Sequence, residues 1–287
     1  MQKSEIQIVW FKRDLRTIDH KPLFEASKTL KPILPIYVVE NEYWKQHFSN
    51  KRHWYFIYDS LIELRKELKK LGQSLIVRIG SVTDIFNELS TQFKIISIYA
   101  HEETGNQWTY ERDLNVKKWS NQKNIPLIEY PTNGIVRNLK NRDDWSKIRN
   151  LRMKENLIPE PVSLMPIHQI LEGSIPKKDN YIFKNDFMGK VQKGGRSEAL
   201  KIIQSFINDR GQNYLLNISK PGISEKTCSR ISPHLTWGTI SSKEIIKLLN
   251  LNKINSQKNR NTINSRNLNA IKSRLSWRCH FIQRLES

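Results

Sequence analysis

The chain has 287 residues, with 48 Lys and Arg against 28 Asp and Glu, a formal net charge of +20. Hydrophobic content of 38% and a mean hydropathy of −0.61 lie on the polar side, yet eight Trp and ten Phe exclude general disorder, and the length accommodates one large or two ordinary domains. Two cysteines exclude a disulfide framework and a CxxC metal pattern, and no apolar run approaches a membrane span; the expectation is a soluble, cytoplasmic, monomeric protein without a metal, whose basic balance suits phosphate-bearing partners such as nucleic acid.

The N-terminal part alternates short β-branched runs with amphipathic stretches. Ile6 to Phe11, Ile33 to Val39, Leu75 to Ile79, Ile95 to Tyr99 and Leu127 to Tyr130 predict buried parallel strands. Between them, Tyr55 to Leu71 repeats Ile57, Leu61, Leu64 and Leu68 at helical spacing, with Gly72 as a stop signal. Ser81 is placed to cap a helix carrying Ile85, Phe86 and Leu89, and Arg112 to Trp119 supplies a further helix. Such strand–helix units predict a doubly wound, Rossmann-like sheet of five parallel strands, whose ligand crevice lies at the carboxyl ends of the strands. The loop after the first strand, Lys12-Arg13-Asp14-Leu15-Arg16, sits at such an end. It reads either as arginines presented to a ligand or as an internal Arg–Asp brace. No GxGxxG or P-loop pattern follows that strand.

From Pro131 to about Lys190 the periodicity fades, and Pro159, Pro161, Pro166 and Pro176 punctuate a basic stretch that reads as an interdomain linker. Asp143-Asp144-Trp145 starts a short helix through Leu151, with Arg149 and Arg152 expected on its exposed side. The predicted organisation is therefore an α/β domain over 1–132, a linker over 133–190 and a helical domain over 191–287. Gly194-Gly195 lets the chain bend. Leu200, Ile203 and Ile207 make one helical face, closed by Arg210-Gly211. Ser241 and Glu244 form a capping box ahead of Ile245, Ile246, Leu248 and Leu249. Asn252 to Asn267 reads as a flexible loop. A last helix carries Leu268, Ile271, Leu275, Ile282 and Leu285 on one side, with Trp277 and Phe281 one turn apart on a neighbouring face.

Between the helices lies Thr227-Cys228-Ser229-Arg230-Ile231-Ser232-Pro233-His234-Leu235. Its hydroxyls, backbone N–H groups and guanidinium can converge on phosphate; an ordinary connecting loop is the plainer reading. Taken with Trp237-Gly238 and Ile240-Ser241, this run resembles the flavin-binding signature of the photolyase/cryptochrome family. Val9 to Leu23, VWFKRDLRTIDHKPL, is similar to the family's first strand and loop, and Leu275-Ser276-Trp277-Arg278 to the helix lining its flavin and lesion cavity.

The resemblance implies FAD bound through Cys228, Ser229, Arg230, Ile231, Ser232 and Arg278, with Tyr214 against the flavin diphosphate; a packing role for Tyr214 stands beside it. It implies light-driven electron transfer to a pyrimidine dimer flipped out of DNA, with Trp277 stacking on the lesion. It also implies an antenna-chromophore domain in the N-terminal half, although Gln107-Trp108-Thr109-Tyr110 lacks the expected acidic contact. No catalytic side chain is singled out. The sequence departs from dimer-repair members at Arg274, where an acidic residue is expected, at Ile271 for an aromatic, and at Cys279-His280. Relatives continue past the position of Ser287, so the expected form is a truncated one, with an incomplete all-helical FAD-binding domain. A blue-light photoreceptor and a non-catalytic basic remnant that binds nucleic acid remain the alternatives.

Overall fold

The computed structural model, which describes residues 3–183, 189–255 and 263–286, separates into two compact units, 1–132 with 158–195, and 133–157 with 196–287. The first unit is built on β1 (Glu5–Phe11), β2 (Ile33–Val39), β3 (Ile76–Ile79), β4 (Lys94–His101) and β5 (Leu127–Tyr130), all parallel in the order β3-β2-β1-β4-β5. The chain winds one way from β1 to β3 and the other way from β4 to β5, which is the expected doubly wound sheet. Every residue of β2 is buried, as are Ile6 to Phe11 of β1, because helices cover both faces.

Those helices are α1 (Lys21–Ser27), α2 (Asn41–Lys45), α3 (Lys51–Lys70), α4 (Val82–Gln92) and α5 (Gln107–Gln122). The starts of α3, α4 and α5 are set by side-chain caps: Asn50, Ser81 and Asn106 accept from the amides of Arg52, Asp84 and Thr109 at 2.9, 3.2 and 3.1 Å. Two helices outrun the apolar pattern that predicts them. α3 begins four residues before Tyr55, where Lys51, Arg52 and His53 give no hydrophobic signal. α5 begins at Gln107 rather than Arg112, because its inward face buries Thr109, Asp113 and Ser120 beside Val116 and Trp119. Against the sheet, Ile6, Ile8, Trp10, Leu34, Ile36 and Ile98 pack with Phe86, Leu89 and Trp119. Burying each large side chain contributes about 1.5–3 kcal/mol.

Residues 158–183 lie along this unit through backbone bonds, Leu164 N to Leu71 O at 2.6 Å and Val77 N to Glu172 O at 2.7 Å. Gly194-Gly195 is more than a bend. A Cβ on Gly194 would collide with the Phe56 carbonyl of α3, and Gly195 holds φ at +101°.

The second unit starts with α6 (Trp145–Lys154), where the Trp145 indole donates to Gly134 O at 2.8 Å. Arg149, expected on the exposed side, is buried, and Arg152 donates to the Ile135 carbonyl at 2.6 Å. Arg152 turns inward because backbone carbonyls receive it, whereas Arg149 donates to Asn150 Oδ1 at 3.0 Å and buries its Nε and Nη2 without a hydrogen-bond partner among the described residues. There follow α7 (Arg196–Asn208), a 3-10 turn at Arg210–Asn213, α8 (Tyr214–Asn217), α9 (Pro221–Thr227), α10 (Ser232–Thr236), α11 (Ser242–Asn255) and α12 (Ser265–Glu286). Ile203, Phe206, Ile231, Leu235, Ile245, Leu249, Leu268, Ile271 and Leu275 form its core.

Half of the expected capping box is present: Ser241 Oγ accepts from Glu244 N at 3.0 Å. The Glu244 carboxylate does not return to the cap. It meets the Arg196 guanidinium in a two-pronged pair at 2.8 and 2.6 Å, both residues below a tenth exposed. On α12, Leu285 is 82% exposed, not packed as expected. Gln283 takes the inward position, accepting from Val136 N and donating to Val136 O at 2.7 and 2.9 Å. Of the loop expected at 252–267, residues 256–262 lie outside the described residues, 252–255 and 265–267 are helical, and 263–264 are not. Among the described residues no helix is long and apolar enough to cross a membrane.

The Arg196–Glu244 pair gives a test. Arg196→Ala leaves a buried carboxylate without its cation and is expected to destabilise the chain by about 3–5 kcal/mol in chemical denaturation, whereas joint Arg196→Met and Glu244→Met substitution recovers most of that loss. Equal losses from the single and the double change would contradict this account.

Candidate cofactor and nucleic-acid site

Two groups of charged side chains stand out. The first gathers at the carboxyl end of β1. Of the two readings of Lys12 to Arg16, the internal brace describes it, with different partners from those expected. Asp14 is held by two histidines, not by an arginine: His20 Nε2 at 3.0 Å and His101 Nδ1 at 2.7 Å share Oδ2, while Lys12 N donates to Oδ1 at 2.7 Å. Arg16 donates to the Asp19 carbonyl at 2.9 Å. Burial pushes the Asp14 carboxyl up, but the two imidazoles outweigh it and hold it well below the usual carboxylate range. Burial lowers His101 to about 3, with neighbouring His20 adding to the drop and Asp14 opposing it.

Asp14, His20 and His101 have the composition of a metal site. The hydrogen bonding speaks for a brace. His20 Nδ1 accepts the Leu23 amide at 3.1 Å, so the neutral ring carries its proton on Nε2 and has no lone pair there for a cation. Beyond this triad, Arg112 spans Glu40 Oε2 at 3.0 Å, Glu103 Oε2 at 2.5 Å and Asp113 Oδ1 at 2.8 Å. Lys12 pairs with Asp113 at 2.8 Å and Arg13 with Glu103 at 3.3 Å. Glu103, a carboxylate close before α5, is thus engaged by protein cations.

The second group lies in the helical unit, around the 228–232 loop. Arg230 sits in the left-handed region at φ 58° with its side chain exposed, Ser229 and Ile231 point inward, and Ser232 is exposed at the start of α10. What holds the loop is Arg210, whose place in the sequence marks only a helix end. Its guanidinium donates to Cys228 O at 2.6 Å, Ile202 O at 3.0 Å and Ser205 Oγ at 2.8 Å. Burial lowers its pKa, and Arg230 lowers it further, so two guanidiniums share one region. Burial pushes the Cys228 thiol up, against Arg210 and Arg230. Tyr214 is 4% exposed and packs edge-on to Phe206 at 5.3 Å; burial raises its hydroxyl, with Cys228 adding and Arg274 opposing.

α12 passes the same region. Arg278 donates to Leu235 O at 3.1 Å, tying α12 to α10. Arg274, Trp277 and Phe281 follow at helical spacing, and Trp277 is 51% exposed. The Arg274 guanidinium covers the Trp277 ring at 4.6 Å, and Phe281 meets its edge at 6.4 Å. Arg210 and Arg230 therefore lie within electrostatic reach of Cys228, and Cys228 and Arg274 within reach of Tyr214, while Ser229 faces the core. A diphosphate-bearing group fits this donor set in charge, because guanidiniums outnumber carboxylates beside exposed hydroxyls.

The DNA photolyase family matches residues 7–144. A deoxyribodipyrimidine photo-lyase of Buchnera aphidicola subsp. Acyrthosiphon pisum is 27% identical over 271 residues, covering 87% of this chain and 53% of that protein. Cryptochrome-2 of Arabidopsis thaliana is 24% identical over 284 residues, covering 88% of this chain and 44% of that protein. The crystal structure of a bacterial class III photolyase from Agrobacterium tumefaciens superposes on all of this chain and on 60% of its own, with a TM-score of 0.79 at 18% identity. The chain spans about half the length of the curated relatives it matches.

Two predictions come from these geometries. Arg210→Ala removes three charge-assisted bonds and is expected to destabilise the helical unit by about 2 kcal/mol, with faster proteolysis between 228 and 232; unchanged cleavage would show that the loop holds itself. The second concerns acid. His101 protonates near 6.5 when unfolded and near 3 when folded, so between these values the unfolded chain binds the extra proton. Its contribution is intact above pH 6.5 and is lost as pH falls to about 3. His101→Asn keeps an N–H donor and is expected to flatten the fall in stability over that window by up to about 1.4 kcal/mol per pH unit. Parallel stability curves for the two proteins would exclude this linkage.

Proposed function

Because this chain belongs to the photolyase/cryptochrome family, we propose that its helical unit binds FAD and serves light-driven repair of pyrimidine dimers in DNA. The observation that carries the reading is the pair of guanidiniums beside the 228–232 loop, where Arg210 holds Cys228 O at 2.6 Å with Arg230 close to it, and Arg274 lies near Tyr214. Positive charges held near one another are stabilised by a bound polyanion, and a flavin dinucleotide carries a diphosphate. When bound, FAD supplies the light-driven electron chemistry.

The chain's own residues supply binding and orientation. Arg230 and Ser232 are exposed and able to meet phosphate oxygens. Arg210 keeps the loop in shape through Cys228 O. Arg278 fixes α12 against Leu235, so that Trp277 is presented on a defined face. An exposed tryptophan flanked by arginine suits a flipped-out base and its phosphates, and a formal net charge of +20 favours DNA in general.

A second reading, a cryptochrome-type photoreceptor, has one specific observation in its favour. Arg274 already covers one face of Trp277 at 4.6 Å, so a lesion base is left the other face or has to displace the guanidinium. The relatives carry both kinds of name.

Gel filtration of the purified chain with added FAD tests the cofactor half. A flavin band co-eluting with the protein, and weakened about tenfold in affinity by Arg230→Ala, is the expected result. A colourless protein that elutes as a compact monomer would overturn it. With flavin bound, tighter binding to ultraviolet-damaged than to undamaged duplex supports repair, because phosphate contacts alone carry no base information. Equal affinity for both duplexes favours the photoreceptor.

A further inference from the structure

The α/β unit contains a cavity of about 420 Å³ that the flavin reading does not use, at the carboxyl ends of β2 and β3, between the start of α4 and one face of α5. We propose that this cavity binds a small organic polycation, an amine of the polyamine type, with an ammonium group on Glu40 and the alkyl stem along Trp108.

Glu40 lines the cavity and is 9% exposed. Its Oε2 pairs with Arg112 at 3.0 Å; among the described residues its Oε1 accepts no hydrogen bond. This oxygen belongs to a nearly buried carboxylate and is open to a donor that enters the cavity. Around it, Glu42, Asp84 and Glu111 stand exposed in the lining. The lining's guanidinium, Arg112, is already neutralised by Glu40, Glu103 and Asp113, and no other Lys or Arg lines the cavity. The excess charge facing the cavity is therefore negative.

An anionic ligand is disfavoured there, even though the positive end of α4 opens nearby. Ser81 caps that end by accepting from the Asp84 amide, and the Asp84 carboxylate lies in its first turn. Trp108 adds an aromatic wall already disposed towards cations, with the Arg112 guanidinium 5.9 Å from its ring. The volume is in the range of small-molecule sites and exceeds what a single metal ion fills.

The same geometry dictates a pH dependence. Burial pushes Glu40 up to about 7, Arg112 opposes, and Glu103 and Asp113 add to the rise. Tyr37 of β2 lies close enough to sense Glu40, and Glu42, Asp84 and Glu111 face the same space. At pH 6 most of the Glu40 carboxyls are protonated and at pH 8 most are ionised. A cation therefore binds more tightly at the higher pH.

The test is equilibrium dialysis of labelled spermidine against the full chain. A protein of formal net charge +20 repels cations over most of its surface, so saturable uptake reports a local site. One saturable site is expected. Its affinity should rise about fivefold from pH 6 to pH 8 and fall at least about fivefold in Glu40→Gln. Because Glu40→Gln also touches the Arg112 cluster, Asp84→Asn with Glu111→Gln, both exposed, provides an independent arm expected to lose about threefold. Flavin mononucleotide, an anion, should not compete. Absence of saturable uptake, affinity indifferent to both variants, or displacement of spermidine by flavin mononucleotide would each overturn the proposal.

Discussion

β1 runs down the middle of its sheet with β2 on one side and β4 on the other, and its carboxyl end delivers Lys12, Arg13, Asp14 and Arg16 into an interior where three of the four are almost fully buried. Charges in such a place must be paired or they oppose folding by several kcal/mol each. Pairing them recruits the ends of neighbouring elements: His20 at the start of α1, Glu40 after β2, His101 at the end of β4, Glu103 after it, and Arg112 and Asp113 on α5. Lys12 with Asp113, Arg13 with Glu103 and Asp14 with His101 join the end of β1 to segments far away in sequence, and Arg112 ties Glu40, Glu103 and Asp113 to one another. The sheet order follows from hydrophobic burial, but the relative placement of the loops at this end follows from charge satisfaction.

This arrangement also shapes what the α/β unit can bind. The crevice at the strand ends, where ligands enter many doubly wound sheets, is filled near β1 and β4 by the protein's own ion pairs. Open space appears to the side instead, beside β2, β3 and α4. There the carboxylates outnumber the cations, because Arg112 turns inward towards Glu103 and Asp113.

The helical unit shows the opposite balance. Arg230 lies close enough to Arg210 to lower its affinity for a proton, an energetic cost that a bound anion relieves, and backbone carbonyls, not carboxylates, receive the Arg210 guanidinium. α12 adds Arg274 and Arg278 along one stripe with Trp277. The two units thus carry opposite charge balances, guanidiniums prevailing at the 228–232 loop and carboxylates in the cavity lined by Glu40 and Asp84. In the helical unit the loop conformation and the charge share one cause. Arg210 both fixes Cys228 O and brings its guanidinium beside Arg230.

The residues differ in how openly they announced these roles. β2 runs over the span that its β-branched residues predict, since a strand buried on both faces must be apolar throughout; β5 also keeps its expected span, although its four residues are only half-buried. The pattern Lys12 to Arg16 marked a charged strand end, and the loop Cys228 to Ser232 marked a run of donors. By contrast, the early start of α3, the polar inner face of α5 and the inward turn of Arg149 were not legible, because helical periodicity counts apolar residues and these positions are polar. Glu244 read as a capping residue and became half of a buried ion pair, since Arg196, nearly fifty residues earlier, reaches it only in the folded chain. The sequence by itself determined the alternation of strands and helices, the segment rich in phosphate donors and the sign of the net charge, because these depend on local composition and spacing. Tertiary structure alone decided which partner each charge meets: histidines for Asp14, three carboxylates for Arg112, backbone carbonyls for Arg210. Pairing energies depend on distances across the fold and on how much water remains between the groups, and neither quantity is written along the chain.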